Sequence, residues 1–168
     1  MKIKLFIFFL ALCPIALIGQ STAIQSAEIT FNFEAKDVDG SISDFQSESI
    51  LDFENIEKSI LKGSVGVKSI KTGIFLRDWS LKGSKYFDED THQRIYFESN
   101  AITATTNGFI AEGTLTIKAI EKPLRITFQK QGNQLIGTAT MNSADYGISI
   151  KKQHDDNKVT IKLVFTLN

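Results

Sequence analysis

The side chains that most often do chemistry are scarce in this chain. Of its 168 residues, 2 are histidine and 1 is cysteine. His92 and His154 lie far apart, whereas a histidine metal site needs ligands clustered at helix or hairpin spacing. Both read as solvated loop residues. There is no G-x-S-x-G elbow, no G-x-x-x-x-G-K-[ST] phosphate cradle and no G-x-G-x-x-G turn. A Ser-His-Asp triad can assemble from distant positions, but nothing singles out one serine. Asp88-Glu89-Asp90 lacks the regular oxygen spacing and central glycine of a calcium loop. The sequence thus points to no catalytic residue, no metal and no cofactor.

One stretch does gather recognition chemistry. Between Ser69 and Asp88 lie Arg77-Asp78, the only tryptophan, Trp79, and the adjacent aromatics Tyr86-Phe87. Arg77 can meet an anionic head group through a charge-assisted bond. It can equally pair with Asp78 to brace or cap a short helix. Trp79 and Phe87 are ring side chains of the sort that line a ligand entrance or plug a barrel end.

The elements that must position these residues are strands. From Glu28 onward apolar and polar residues alternate, the period of a strand with one buried face. The alternating sets are Ile29-Phe31-Phe33-Ala35, Phe109-Ala111-Gly113-Leu115-Ile117, Leu124-Ile126-Phe128 and Val159-Ile161-Leu163-Phe165-Leu167. Ile95-Phe97 and Leu135-Gly137-Ala139-Met141 begin two more. Turn signals separate them at Asp39-Gly40, Asn107-Gly108, Glu121-Lys122-Pro123, Gly132-Asn133 and Asp155-Asp156-Asn157. Asn107-Gly108 is the strongest hairpin signal, since both residues tolerate positive φ. The runs add up to about eight strands, mainly antiparallel. Asn55–Ile60 and Arg77–Asp88 are the best helical segments, both short.

One sheet with a single apolar face must close on itself or pack on a second sheet. Strands of about nine or ten residues are long for a sandwich and favour closure. Ala111, Gly113, Gly137 and Ala139 are small residues on inward faces, which leave room for a ligand or merely allow bending. A cavity and a filled core both fit the pattern. Phe31, Phe33, Phe97, Leu115, Phe128 and Met141 either fill that core or line a lipid channel.

Composition narrows the class. Hydrophobic residues make up 42% and charged residues 23%, which is globular rather than disordered. The 19 basic and 19 acidic side chains cancel, so a nucleic-acid partner is not expected. Lys2 and Lys4 precede an uncharged run of 14 residues, Leu5–Ile18, ending in small and polar Gly19–Ala23. That is the layout of a secretory signal peptide, too short for a bilayer span of about 20 residues. Cys13 sits within the run, after Leu12, which disfavours a lipidated cysteine. Residues 1–20 are therefore read as a signal segment and 21–168 as a single domain. The processed domain would carry 17 basic and 19 acidic residues, no cysteine and no integral membrane segment. A periplasmic or secreted location follows.

Four stretches together resemble the YceI-like family of secreted bacterial proteins. Ser69-Ile70-Lys71-Thr72, Arg77-Asp78-Trp79-Ser80-Leu81 and Tyr86-Phe87-Asp88 are similar to its S-I-x-T, R-D-x-H-L and F-F-D. Val38-Asp39-Gly40-Ser41-Ile42-Ser43-Asp44-Phe45, followed by Phe53-Glu54-Asn55-Ile56, resembles its early V-x-G-x-F segment. Gly113–Leu124 is similar to G-x-L-T-I-x-G-V-x-K-P-V, and Asn142–Ile148 to N-R-x-D-F-G-I. The matches run in order over nearly the whole processed chain. The resemblance implies an all-β, eight-stranded antiparallel lipocalin-like β-barrel with one or two short helices. It also implies binding of a long-chain amphiphilic lipid such as a polyisoprenoid, and homodimers occur in the family. Ser80 and Ser143 stand where the family usually has His and Arg, which removes a titratable group at position 80.

The combined expectation is a secreted, non-enzymatic barrel that sequesters or transports a polyisoprenoid, quinone-like or fatty-acid-like lipid. Its candidate ligand-binding residues are Phe31, Phe33, Phe45, Arg77, Asp78, Trp79, Phe87, Phe97, Leu115, Phe128, Met141 and Tyr146. Two other classes remain: a filled barrel working through a protein or membrane partner, and an enzyme acting on a lipid held inside.

Overall fold

The computed structural model describes residues 22–168. The signal segment at 1–20 and Cys13 lie outside the described residues. Alternating sequence becomes strand at β1 (Ile24–Phe33), β2 (Val38–Ile42), β3 (Gln46–Ser47) and β4 (Lys62–Gly66). The one α-helix among the described residues, α1 (Phe75–Lys82), follows. Then come β5 (Arg94–Thr105), β6 (Gly108–Ile117), β7 (Ile120–Gln131), β8 (Gln134–Asn142) and β9 (Lys158–Leu167). The nine strands form one antiparallel sheet in the order β2-β1-β9-β8-β7-β6-β5-β4-β3, curled into a half-barrel. The lipocalin-like, all-β reading therefore holds. The strand beyond the expected eight is β3, two residues long, which alternation cannot reveal.

β1 and β9 join the two ends of the described residues. They pair from Ile24↔Leu167 to Phe33↔Val159, and Asn168 exchanges hydrogen bonds with Ala23. The edges β2 and β3 do not pair with each other. Instead Ser41 and Lys71 exchange backbone bonds of 2.8 and 3.0 Å, and Gly66 N–H donates to Ser43 O at 3.1 Å. The Ser69 hydroxyl accepts from Ser43 N at 2.7 Å. The wall is thus continuous ladder for most of its circumference and point contacts at one seam.

β6 shows the sequence pattern most plainly, with Phe109, Ala111, Leu115 and Ile117 all buried on one face. In β5 a bulge between Ser99 and Ala101 shifts the register. Ile95 and Phe97 face inward before it and Ile102 is buried after it. This parity change is why alternation fades after Phe97 in the sequence.

Three expectations need correction. Asp39-Gly40 lies within β2, and the reversal is made by Asp37 at φ 47°. Glu121-Lys122-Pro123 lies within β7, and the β6–β7 reversal is Lys118-Ala119, with φ of 52° and 58°. Pro123 is tolerated there because β7 pairs with β8 only from Thr127 onward, so its missing N–H costs no rung on that side. The Asn107-Gly108 hairpin forms, but neither residue takes positive φ. Gly108 is needed because the Phe128 carbonyl passes where a Cβ would stand. The helical segments also shrink. Asn55–Ile60 yields a 3-10 turn at Ile56–Lys58, and α1 covers 75–82 rather than 77–88.

The small inward residues do not all leave space. The Phe128 ring lies over Gly137, its cross-strand partner, where a Cβ would come within 2.5 Å of it. Phe97 covers Gly113 in the same way. Phe128 then stacks on Phe109 at 4.9 Å and on Phe165 at 5.9 Å, and Phe165 on Phe45 at 5.3 Å. These rings fill the end of the sheet where β6 and β8 begin and β7 and β9 finish.

Two substitutions test this account by chemical denaturation. Gly137→Ala forces the buried Phe128 ring aside and should destabilise the fold by about 1–3 kcal/mol. Ala119→Gly relieves a left-handed residue in a two-residue hairpin and should stabilise it by about 0.5–1 kcal/mol.

Candidate functional site

Beyond the phenylalanine stack the inner faces of the sheet enclose a cavity of about 400 Å³. Its wall is almost wholly apolar. β1 contributes Ile29, Phe31 and Phe33, and β9 contributes Val159, Ile161, Leu163 and Phe165. Leu115 and Ile117 come from β6, Leu124, Ile126 and Phe128 from β7, and Ala139 and Met141 from β8. Period-two patterning places each set on one face. The other end of the cavity lies where β1 finishes and β9 starts. There α1 and its flanks supply Ile70, Thr72, Arg77, Ser80, Leu81, Tyr86 and Phe87.

At this rim Arg77 and Asp78 do not pair directly. Both grip Thr72. The Thr72 N–H donates to Asp78 Oδ1 at 2.7 Å, and the Thr72 hydroxyl donates to the same oxygen. Arg77 donates through Nε to Thr72 Oγ1 at 2.6 Å and through Nη2 to Thr72 O at 2.7 Å. The Thr72 hydroxyl bond is the largest of the effects holding the Asp78 carboxyl below its usual range. Arg77 is therefore fixed in direction while still facing the cavity. Among the described residues, no acceptor meets its third nitrogen.

Two lysines also reach the cavity wall, Lys62 from the start of β4 and Lys36 from the turn at the end of β1. Lys62 sits 3.4 Å from Glu48 and 3.5 Å from Glu98, and these contacts raise its pKa.

Of the candidate residues, Phe31, Phe33, Phe45, Arg77, Phe87, Phe97, Leu115, Phe128 and Met141 line the cavity. Asp78, Trp79 and Tyr146 do not. Asp78 holds Thr72, as described. Trp79 is 72% exposed and is no plug. Tyr146 is buried in the turn Ser143–Tyr146, where burial and then the Asp145 charge push its hydroxyl up to about 12. It lines a separate recess of mixed character with Lys122 and Lys158 beside the start of β7.

That turn is built from the Asn142–Ile148 segment. Asn142 Oδ1 accepts from Ala144 N at 2.9 Å, and Gly147 ends the turn at φ 71°. Ser143, which stands where the family has Arg, is buried and bonds the Ile148 carbonyl at 2.8 Å. His154 is the far brace. Its Nε2 lies 2.7 Å from Asp145 Oδ1 and its Nδ1 3.2 Å from Asp155 Oδ1. The bonds to Asp145 and then Asp155 raise its pKa above 6.5. Among the described residues, no cluster of three metal-ligating side chains forms.

Sequence reasoning missed some lining residues. Val159, Ile161, Leu163 and Phe165 carried a visible signal, since they share one parity along β9. Tyr86 shared the signal of its neighbour Phe87, whereas Lys36 and Lys62 carried none, because long side chains at strand ends reach the cavity irrespective of period.

The family model described as YceI-like domain matches residues 22–167. No curated protein matches the chain. Among solved structures, BcnA of Burkholderia cenocepacia is 18% identical with a TM-score of 0.72, over 84% of this chain and 96% of that one. A Campylobacter jejuni YceI protein is 14% identical with a TM-score of 0.63, over 78% of this chain and 84% of that one. A polyisoprenoid-binding domain from Saccharophagus degradans, implicated in plant cell wall breakdown, is 9% identical with a TM-score of 0.58, over 88% of this chain and 97% of that one. At these identities the likeness speaks for the fold.

The rim geometry gives two measurable outcomes. Thr72→Val removes the hydroxyl shared by Arg77 and Asp78 and should cost about 1–2 kcal/mol near neutral pH. Because the Asp78 pKa is depressed in the fold, this stabilisation is present above the unfolded carboxyl pKa. It fades as pH falls through the folded value, so wild type and variant should converge in acid. His154 behaves oppositely. Its raised pKa stabilises the fold below the unfolded value and is lost as pH rises through the folded one. An NMR titration should place His154 above 6.5 and find it lowered in Asp145→Asn.

Proposed function

The chain belongs to the YceI-like family, and on that premise we propose that it binds a long-chain amphiphilic lipid and sequesters or carries it. A polyisoprenoid, a quinone-like or a fatty-acid-like chain fits the chemistry. The observation that carries this reading is the apolar cavity of about 400 Å³, stoppered by stacked phenylalanines at one end and rimmed by cations at the other. Its size lies in the range of about 300–1,000 Å³ typical of ligand pockets. Burying an alkyl chain there is worth about 0.8 kcal/mol per CH₂. Arg77, aimed by Thr72, suits an anionic or strongly polar head group.

A binder fits better than an enzyme. The titratable side chains on the cavity wall are Lys36, Lys62, Arg77, Tyr86 and Tyr96. That set holds neither carboxylate nor histidine to form an acid–base pair. The cavity also disfavours a filled barrel acting only through its surface. The signal-like layout of residues 1–20 supports export to the periplasm or beyond.

Native mass spectrometry of the purified protein, with organic extraction of what it holds, tests the reading. The expected spectrum shows a discrete adduct of isoprenoid, quinone or fatty-acid mass, retained from the cell or acquired on incubation with prenyl and acyl lipids. Ala139→Phe, which places a ring in the cavity, should abolish the adduct and leave the circular dichroism unchanged. A spectrum that stays empty after incubation with both lipid classes overturns the proposal.

A further inference from the structure

Helix α1 turns an apolar face to water. Ile74, Phe75, Leu76 and Trp79 are 53, 79, 72 and 72% exposed. They are four of the eight large hydrophobic side chains exposed among the described residues, gathered within six positions. Phe75 and Trp79 are four residues apart and Leu76 and Trp79 three, so the trio shares one helix face. The other side of the helix, with Arg77, Ser80 and Leu81, lines the cavity. Packing thus explains one side of α1 and leaves the aromatic side without a partner among the described residues. A patch of this kind marks a contact surface.

Charge indicates the partner. From Lys68 to Lys85 the chain carries Lys68, Lys71, Arg77, Lys82 and Lys85 against Asp78 alone. The acidic run Asp88-Glu89-Asp90 follows only after Phe87 has entered the cavity wall. A second copy of the chain, joined by a two-fold axis through this face, would set the lysines against one another. Aromatic side chains ringed by lysine are instead the composition of a bilayer interface. There the rings sit at head-group depth and the ammonium groups meet lipid phosphates.

We propose that the Phe75-Leu76-Trp79 face of α1 seats in the interfacial layer of an anionic phospholipid bilayer and brings the cavity rim against the leaflet. A lipid chain leaving the membrane would then reach the cavity past the same helix without crossing water. The docking itself does not depend on the cargo, so it stands or falls separately from the carrier reading.

Trp79, as the only tryptophan, reports on the contact directly. The purified protein is mixed with vesicles of phosphatidylcholine alone, or with about a quarter phosphatidylglycerol, neither holding an isoprenoid. Expected are a blue shift of Trp79 emission and co-sedimentation with the anionic vesicles. Both should be weaker with neutral vesicles and reduced by added salt. Phe75→Ser with Leu76→Ser keeps the reporter and should weaken partitioning about tenfold or more. Its melting curve should match wild type, because both side chains are already exposed. Three results overturn the proposal: no shift with either vesicle, equal partition into both, or a lipid-free blue shift that grows with protein concentration. The last would assign the face to self-association.

Discussion

An empty interior deprives the side chains around it of half their packing partners. Dispersion contacts that a filled core would supply are absent along the cavity wall. The consequence is visible in burial. In part of the wall Phe31, Phe97, Ile161 and Leu163 face inward yet stay only partly buried, whereas Phe128 and Phe165, which also line the cavity but lie in the stack, are 0 and 3% exposed. Stability must therefore come from where the structure is dense: the stacked rings, the long ladders and the clasps at the rim. β5–β6 and β6–β7 pair along nearly their full lengths, and β6 buries almost every inward residue. The cavity is affordable because those regions are close-packed.

The polar motifs serve the same end. Ser69 fastens the seam between β2 and the turn after β4. Thr72 holds Arg77 and Asp78 together without a direct ion pair. Asn142 and Gly147 shape the turn that buries Tyr146. Each is a short-range device at a point where the ladder stops. Arg77 combines bracing with a charge that faces the cavity, so a residue that organises the rim is also one positioned to greet a head group.

The legibility of the sequence followed the physics of each element. Long strands with one buried face announce themselves through period two, and β1, β6, β7 and β9 could be read directly. The bulge in β5 hid the second half of its strand by shifting parity. β3 is too short to carry a period. Turns were less legible, because Pro123 and Gly40 punctuate sequences in general yet sit inside strands here for local reasons. The true β6–β7 reversal uses Lys118-Ala119, a pair with no turn signature. At the site, the wall was legible from apolar parity. Trp79 misled, since an aromatic beside Arg77-Asp78 looks like a lining residue whether it points in or out. Lys36 and Lys62 were invisible for want of any pattern linking long side chains to a cavity wall.

The union of β1 with β9 has a bearing on when the chain can fold. The first strand finds its main neighbour only after the last has been made, and between them lies nearly the entire sequence. Closing so large a loop is a late, entropically costly event. A nascent chain of this topology cannot complete its sheet until β9 has been made, so β1 waits with the edge that faces β9 unpaired while every other strand is already in place.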